Sequence, residues 1–411
     1  MKKISSTAWM MIALVLGILC GLLFGEKMAV IAPIGTIFLN LIKMIIIPIV
    51  MCSIITSTAS MGDVKKLGRV GGKTLLLYIG TTALAATIGI VLAYSTRLGE
   101  GITLGTGEEV AVTSVSLLDM LSNIVPSNIF SAMANFETLP CIVFSIIFGI
   151  ALIMIQEKAA PVMAVINACN ETLNTMVSLI MKVAPVGIFA LVSAGIGQYG
   201  VEIFAALGKY LVLCYIGAPL LSVVYIILLK LFGNLPVRKF LSGGFKVFAT
   251  AFTTRSSAAT LPLNIEVATK EFGVPEEIAR FTLPIGCTIN MNGAAMGFAM
   301  KAILVGFIYG SPLSLSQCIT AVAISTLSGV GMPGIPNAAL VFNVLLFTTL
   351  GFPNGALIGM LASIESLEDM IQTACNVLGD SVCTVLVSNS EKKRELRGKN
   401  KGRRKDNGID L

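Results

Sequence analysis

Sixty-three consecutive residues, 302–364, contain no Asp, Glu, Lys or Arg. A bilayer core of ~30 Å takes ~20 apolar residues of helix, so one span cannot use that length, and two ordinary spans would need a polar connection between them. What stands in the middle is STLSGVGMPGIPN at 325–337, a Gly- and Pro-rich segment that cannot continue a helix. Non-helical backbone at membrane depth is tolerated only where protein buries it or a watery cavity solvates it. The stretch therefore reads as a re-entrant helical hairpin with its tip at depth.

The remainder of the chain agrees with a membrane setting. Of 411 residues, 55% are hydrophobic and 12% charged, too few charges to cover a soluble domain of this size, and the alternating short strands of a barrel do not occur. Charge-free runs of spanning length lie at 4–25, 74–96, 138–156, 183–201 and 210–229, and a sixth, from about 31 to 60, is interrupted at Lys43 and Pro48. Nine scattered cysteines without C-x-x-C spacing read as small buried hydrophobes. The absence of histidine removes Ser-His and Cys-His nucleophiles and H-E-x-x-H zinc sites, which argues against an enzyme and against a metal cofactor.

Positive charge orients the chain. Lys2 and Lys3, the 65–73 loop, Lys158, the 230–246 stretch and the 391–411 tail, with nine Lys/Arg against four Asp/Glu, are placed on the cytoplasmic side. The tail reads as an anchor for anionic lipid headgroups rather than a nucleic-acid arm. The fold expected is an all-α membrane protein of eight transmembrane spans plus two re-entrant helical hairpins. The first hairpin is 240–269, with the tip TTRSSA at 253–258, and between the hairpins a span at 281–300 is broken by NMNGA at 290–294. With cytoplasmic termini the two hairpins enter from opposite sides. Paired broken elements in one half of a membrane protein mark a secondary-transporter site near the midplane.

The last span carries the chemistry. Asp369, Thr373, Asn376 and Asp380 stand at offsets 0, 4, 7 and 11, one stripe of a helix, with Glu365 and Gln372 beside them. An ionisable stripe facing lipid is costly, so it faces protein, water or an ion. A structural seam is the bland explanation; a site for a charged solute and a cation is the sharper one. Hard cations take oxygen ligands, which a helix break supplies as carbonyls, while hairpin tips supply N–H groups for a carboxylate. Ser256 and Ser257 suit the second task. Lys301, nine residues past Asn292, is expected to snorkel towards a helix end.

Several co-ordered motifs resemble the dicarboxylate/amino acid:cation symporter family, the bacterial relatives of neuronal glutamate transporters. They are RSSAATLP at 255–262, LPIGCTINMNGA at 283–294, GMPG at 331–334, LIKMIIIP at 41–48 and YIGTT at 78–82. The resemblance implies a homotrimer in the inner membrane working by an elevator movement. Residues 1–72 and 98–201 would be scaffold, 73–97 and 202–390 transport core, and 391–411 a cytoplasmic tail. It also implies that Asp369 holds the substrate amino group and that Asn376 with the first-tip backbone at Arg255, Ser256 and Ser257 holds the α-carboxylate. Gln372, Thr373 and the second tip, Met332, Pro333 and Gly334, complete the substrate site. One Na+ site would use Gly286, Asn290, Asn376 and Asp380; another would use backbone near Thr288, Thr326, Leu327 and Gly329.

Departures from the family pattern carry information. Gln372 stands where glutamate and aspartate carriers have an Arg, and an amide cannot neutralise a buried carboxylate. This points to a small neutral amino acid such as serine or threonine, as in the family's serine/threonine branch; an acidic amino acid or C4-dicarboxylate is the alternative, with Arg255 as the residue able to serve it. The family's NMDGT has become NMNGA, which weakens a third cation site at Thr81, Thr82 and Asn292. A channel and a Ser256 or Ser257 hydrolase are the rivals from other classes.

Overall fold

The computed structural model describes residues 6–59, 67–102, 125–135, 138–200, 202–330, 332, 339–352 and 356–406, and every regular element among them is helical. The helices are α1 Ser6–Phe24, α2 Ala32–Lys43, α3 Ile46–Ala59, α4 Gly72–Ser95, α5 Ile129–Ala134, α6 Thr138–Ile155, α7 Ala160–Tyr199 and α8 Glu202–Leu228. They continue with α9 Val237–Thr254, α10 Ser257–Lys270, α11 Glu276–Ile289, α12 Asn292–Ile308, α13 Leu315–Gly329, α14 Ala339–Thr349 and α15 Ala356–Asp406.

Among the described residues, six stretches are long and apolar enough to cross a bilayer: Ile12–Phe38, Arg69–Ser95, Pro140–Gln198, Phe204–Gly233, Glu276–Ile308 and Met360–Arg394. The stretch expected at 31–60 is split between Lys43 and Ile46, where the chain turns before Pro48. The span expected at 183–201 is only the second half of α7, whose 40 residues extend ~60 Å at 1.5 Å per residue, too long to lie wholly within the bilayer. Likewise α15 does not stop at 390: Lys, Arg and Glu are good helix formers, and the helix runs through the basic segment to Asp406.

Burial separates two groups of helices. Only 17% of the apolar window in Ile12–Phe38 is buried, against 94% in Glu276–Ile308 and 94% in Met360–Arg394. The outer group is α1, α2 and α7 packed together, with α3 against α6 and α7; the inner one is α4, α8 and α9–α15 around α12 and α15. Close approach needs small residues: a Cβ at Gly89 of α4 would collide with the Met296 carbonyl of α12. Six cysteines are buried as expected, but Cys169 is exposed and Cys20 and Cys52 are half-buried, because α1, α3 and α7 turn faces outward.

The first hairpin forms as its sequence demands. Arg255 takes a left-handed conformation, φ +54°, and its N–H bonds Ala251 O at 2.8 Å, ending α9. Ser256 then caps α10 by accepting from Ala259 N at 3.2 Å. The arms pack on each other and on α15. Of the second hairpin, α13 ends at Gly329 and α14 begins at Ala339. Its tip residues Pro333 and Gly334 lie outside the described residues, while Met332 is buried.

Lys301 does not snorkel. It is fully buried, its Nζ 2.8 Å from Glu368 Oε1 and 3.8 Å from Glu365 Oε2 and donating to Asn343 Oδ1 at 2.9 Å. The ammonium also lies 5.6 Å from the Tyr210 ring centroid and 5.5 Å from that of Phe298. Snorkelling requires a path to the interface, and Lys301 lies mid-helix in α12, enclosed by α8, α14 and α15. Two carboxylates thus face one ammonium in a buried interior. Glu368 Oε1 also accepts from Tyr210 OH at 2.5 Å, whereas neither Glu365 oxygen is hydrogen-bonded among the described residues.

This asymmetry predicts opposite outcomes for two substitutions. Lys301→Met strands Glu368 without its cation and should cost about 3–5 kcal/mol, read as a lowered unfolding temperature of the purified protein. Glu365→Gln keeps the Lys301–Glu368 pair and removes the excess carboxylate, so its unfolding temperature should match or exceed the wild type.

Candidate functional site

The site grows from the break between α11 and α12. The helix ends at Ile289, and Asn290 and Met291 leave helical geometry with ψ of 73° and 57°. In a continuous helix the N–H groups of Gly293 and Ala294 would bond the carbonyls of Ile289 and Asn290. Here both go to Asn376 Oδ1 on α15, at 2.7 and 3.4 Å. One side chain thereby stabilises the break and leaves two carbonyls without their helical donors, the type of oxygen a hard cation takes.

Around that break the cation candidates gather. Asn290 Nδ2 donates to Asp380 Oδ1 at 2.8 Å, and its Oδ1 accepts from Thr81 at 3.1 Å. Asp380 is fully buried, and its Oδ2 has no hydrogen-bond partner among the described residues. Gly286 leaves room beside it: a Cβ there would lie 2.6 Å from Asp380 Oδ1. A buried carboxylate with one unpartnered oxygen, beside a notch only glycine leaves open, suits the ligand set of a small cation. The end of α13 reaches the same place, since a Cβ at Gly329 would meet Met291 at 3.3 Å and Thr82 at 3.4 Å. The Ser325 and Ser328 hydroxyls there are buried and unsatisfied among the described residues. Thr326 is buried, with its hydroxyl on Val322 O at 2.7 Å, Leu327 is half-buried, and the Thr288 hydroxyl bonds Ile285 O at 3.3 Å.

Of the three residues expected at a third site, Thr81 contacts Asn290, and only Thr82 meets Asn292. Asn292 Oδ1 accepts from Thr82 at 2.7 Å, and its Nδ2 donates to Tyr225 OH at 2.6 Å. Both ends of the amide are engaged within the protein, and an amide brings no charge to offset a cation's lost hydration.

The stripe on α15 faces inward: Asp369, Gln372, Thr373, Asn376 and Asp380 are all buried. Thr373 donates to Asp369 Oδ1 at 2.9 Å. Asn376 spends its oxygen on α12, which leaves Nδ2, 3.2 Å from the weak acceptor Met291 Sδ, as a donor for a carboxylate. Ser257 of the first tip adjoins the break through its carbonyl, which accepts from Cys287 Sγ at 3.6 Å. Gln372 Nε2 donates to Glu368 Oε1. Sequence reasoning missed Glu368, Lys301, Tyr210 and Tyr225 as parts of this core. A lysine and two glutamates inside apolar helices each needed a partner, a signal for Lys301 and Glu368; nothing in the sequence singled out the two tyrosines.

A sequence profile of the Sodium:dicarboxylate symporter family matches residues 7–390. The chain is 34% identical over 409 residues to a proton/sodium-glutamate symport protein of Bacillus caldotenax, covering 95% of this chain and 96% of the relative. It is 30% identical over 416 residues to the proton/glutamate-aspartate symporter of Escherichia coli, covering 96% and 95%. It is also 33% identical over 404 residues to the neutral amino acid transporter B(0) of Oryctolagus cuniculus, covering 89% and 74%. These relatives are transporters, not enzymes. The chain is a multi-pass membrane protein of the Sodium:dicarboxylate symporter family, a transporter that couples solute uptake to a cation.

Proposed function

We propose that this transporter couples Na+ entry to uptake of a small neutral amino acid such as serine or threonine. The observation that carries the substrate class is the electrostatics at Gln372: it stands where acidic-substrate members have Arg, beside Glu368 and Asp369, both buried. A substrate carboxylate placed there would be a further buried negative charge beside a Lys301 that already faces two carboxylates, which neutral hydrogen bonds do not offset. In this reading Asp369 takes the substrate ammonium, and the Asn376 amide with the first-tip backbone takes the α-carboxylate. Two Na+ ions bind at Gly286, Asn290, Asn376 and Asp380 and near Thr288 and Thr326 to Gly329. Asn292, with both amide ends engaged by Thr82 and Tyr225, does not form a third.

The protein works as a trimer in the inner membrane with cytoplasmic termini. The outer helices form the scaffold, and the buried helices, with the two hairpins closing over substrate from opposite sides, move as one body. An acidic amino acid or C4-dicarboxylate is the second reading, favoured by the glutamate and aspartate symporters among the relatives; in it Arg255 reads the side-chain carboxylate.

Competition in proteoliposomes separates the two. Serine and threonine should displace labelled substrate at lower concentration than aspartate, glutamate or succinate, and only with an inward Na+ gradient. Aspartate outcompeting serine would reject the neutral reading and make Arg255 the residue to test. Gln372→Arg should shift the aspartate-to-serine preference by about tenfold or more, because a guanidinium can bond Glu368 and still offer a fork to the substrate; an unchanged ratio would contradict the assignment. Asp380→Asn should raise the Na+ concentration for half-maximal uptake roughly tenfold, since a buried cation loses its formal counter-charge. Its protein should still fold, because an amide at 380 can meet Asn290. An unaltered Na+ activation curve would remove Asp380 from the cation site.

A further inference from the structure

Glu368 has no task in the transport scheme above, yet it is fully buried and its Oε1 receives Lys301 Nζ at 2.8 Å, Tyr210 OH at 2.5 Å and the amide nitrogen of Gln372. A carboxyl oxygen that receives an ammonium and a phenol acts as an acceptor and has no proton of its own to give. Gln372 can therefore meet Glu368 only through its N–H. The nitrogen is further confined by α12: a Cβ at Gly297 would overlap Gln372 Nε2 and lie 3.0 Å from both Glu368 Oε1 and Tyr210 OH. The amide nitrogen is wedged into the notch Gly297 leaves, between α12 and Glu368. No described donor reaches the opposite end, Oε1, and it is not a buried orphan.

We propose that Glu368, held by Lys301 and Tyr210, is a positioning residue that fixes the Gln372 amide so that only its carbonyl oxygen is offered to the substrate side chain, which selects amino acids whose side chain carries a hydrogen-bond donor. This rests on the reading that Gln372 lies against the substrate side chain. An acceptor at that point is satisfied by a hydroxyl or a carboxamide N–H. It is left unpaired by an apolar side chain and is repelled by a carboxylate, and a site built around a substrate hydroxyl discriminates strongly against the analogue that lacks it.

The test uses an analogue of equal bulk and a slightly larger methyl ether in wild-type proteoliposomes. L-2-Aminobutyrate replaces the serine hydroxyl with a methyl group, and O-methyl-L-serine keeps the oxygen but loses the donor. Serine should inhibit uptake at concentrations roughly tenfold lower than either. Equal inhibition by serine and 2-aminobutyrate, with aspartate still excluded, would overturn the positioning role and leave the neutral reading standing. Aspartate outcompeting all three would instead refute the neutral reading itself. Glu368→Gln introduces a donor that can bond the Gln372 oxygen and lets the amide turn over, while Glu365, 3.8 Å from Lys301 Nζ, keeps that ammonium paired. In this variant the serine-to-2-aminobutyrate ratio should fall to about threefold or less; an unchanged ratio counts against the proposal. Should that variant not reach the membrane, Gln372→Met gives the same readout, with the ratio expected near one and a preserved ratio overturning the idea.

Discussion

A helix can be interrupted in a dry interior only if the amide groups it releases find acceptors, and the transport core turns on how that is done. Asn376 gives one oxygen to the N–H groups of Gly293 and Ala294, which allows α11 to stop at Ile289 and α12 to start at Asn292. Because Asn376 is on α15, the same contact locks the broken helix to the helix bearing Asp369 and Asp380. It accompanies the contact of Asn290 with Asp380, 2.8 Å away, whose other oxygen nothing satisfies among the described residues. Without it neither the cation ligands nor the stripe would share a place.

The second constraint is electrostatic. Lys301, Glu365 and Glu368 occupy a region where an isolated charge costs several kcal/mol, and among the described residues the ion pair with Lys301 is the balance for both glutamates. Breaking such a group is far more damaging than never having had it, so its presence beside Gln372 points to a role in orienting polar groups rather than in net stability. Tyr210 and Gly297 support that role from two further helices, one by a hydrogen bond to Glu368 and one by leaving room.

Close helix packing makes these contacts possible. Gly89 against the Met296 carbonyl, Gly286 against Asp380 and Gly297 against Gln372 bring backbones together where a methyl group would hold them apart. The same closeness explains why α12 is buried along nearly its whole length while α1 is largely bare. One apolar face of the outer helices is left exposed.

What the sequence by itself determined is the set of elements whose cause is local. Charge-free length gave long apolar helices, the Gly- and Pro-rich segment from 325 gave the end of α13 at Gly329, Ser256 after Arg255 gave the first hairpin's turn, and the 369–380 spacing gave a buried polar stripe. Helix ends were less legible: α7 and α15 run well past the expected limits, because charged good helix formers do not stop a helix. Only the tertiary structure decided the partners. A lysine inside an apolar helix announces that a counter-charge exists, but whether it reaches an interface or Glu368 depends on how α12 is rotated against α8, α14 and α15. In the same way Asn292 is legible as a lost carboxylate, yet its engagement by Thr82 and Tyr225 arises only when α4, α8 and α12 meet. Periodicity fixes which residues share a face; the rotation and close approach of neighbouring helices fix what that face touches.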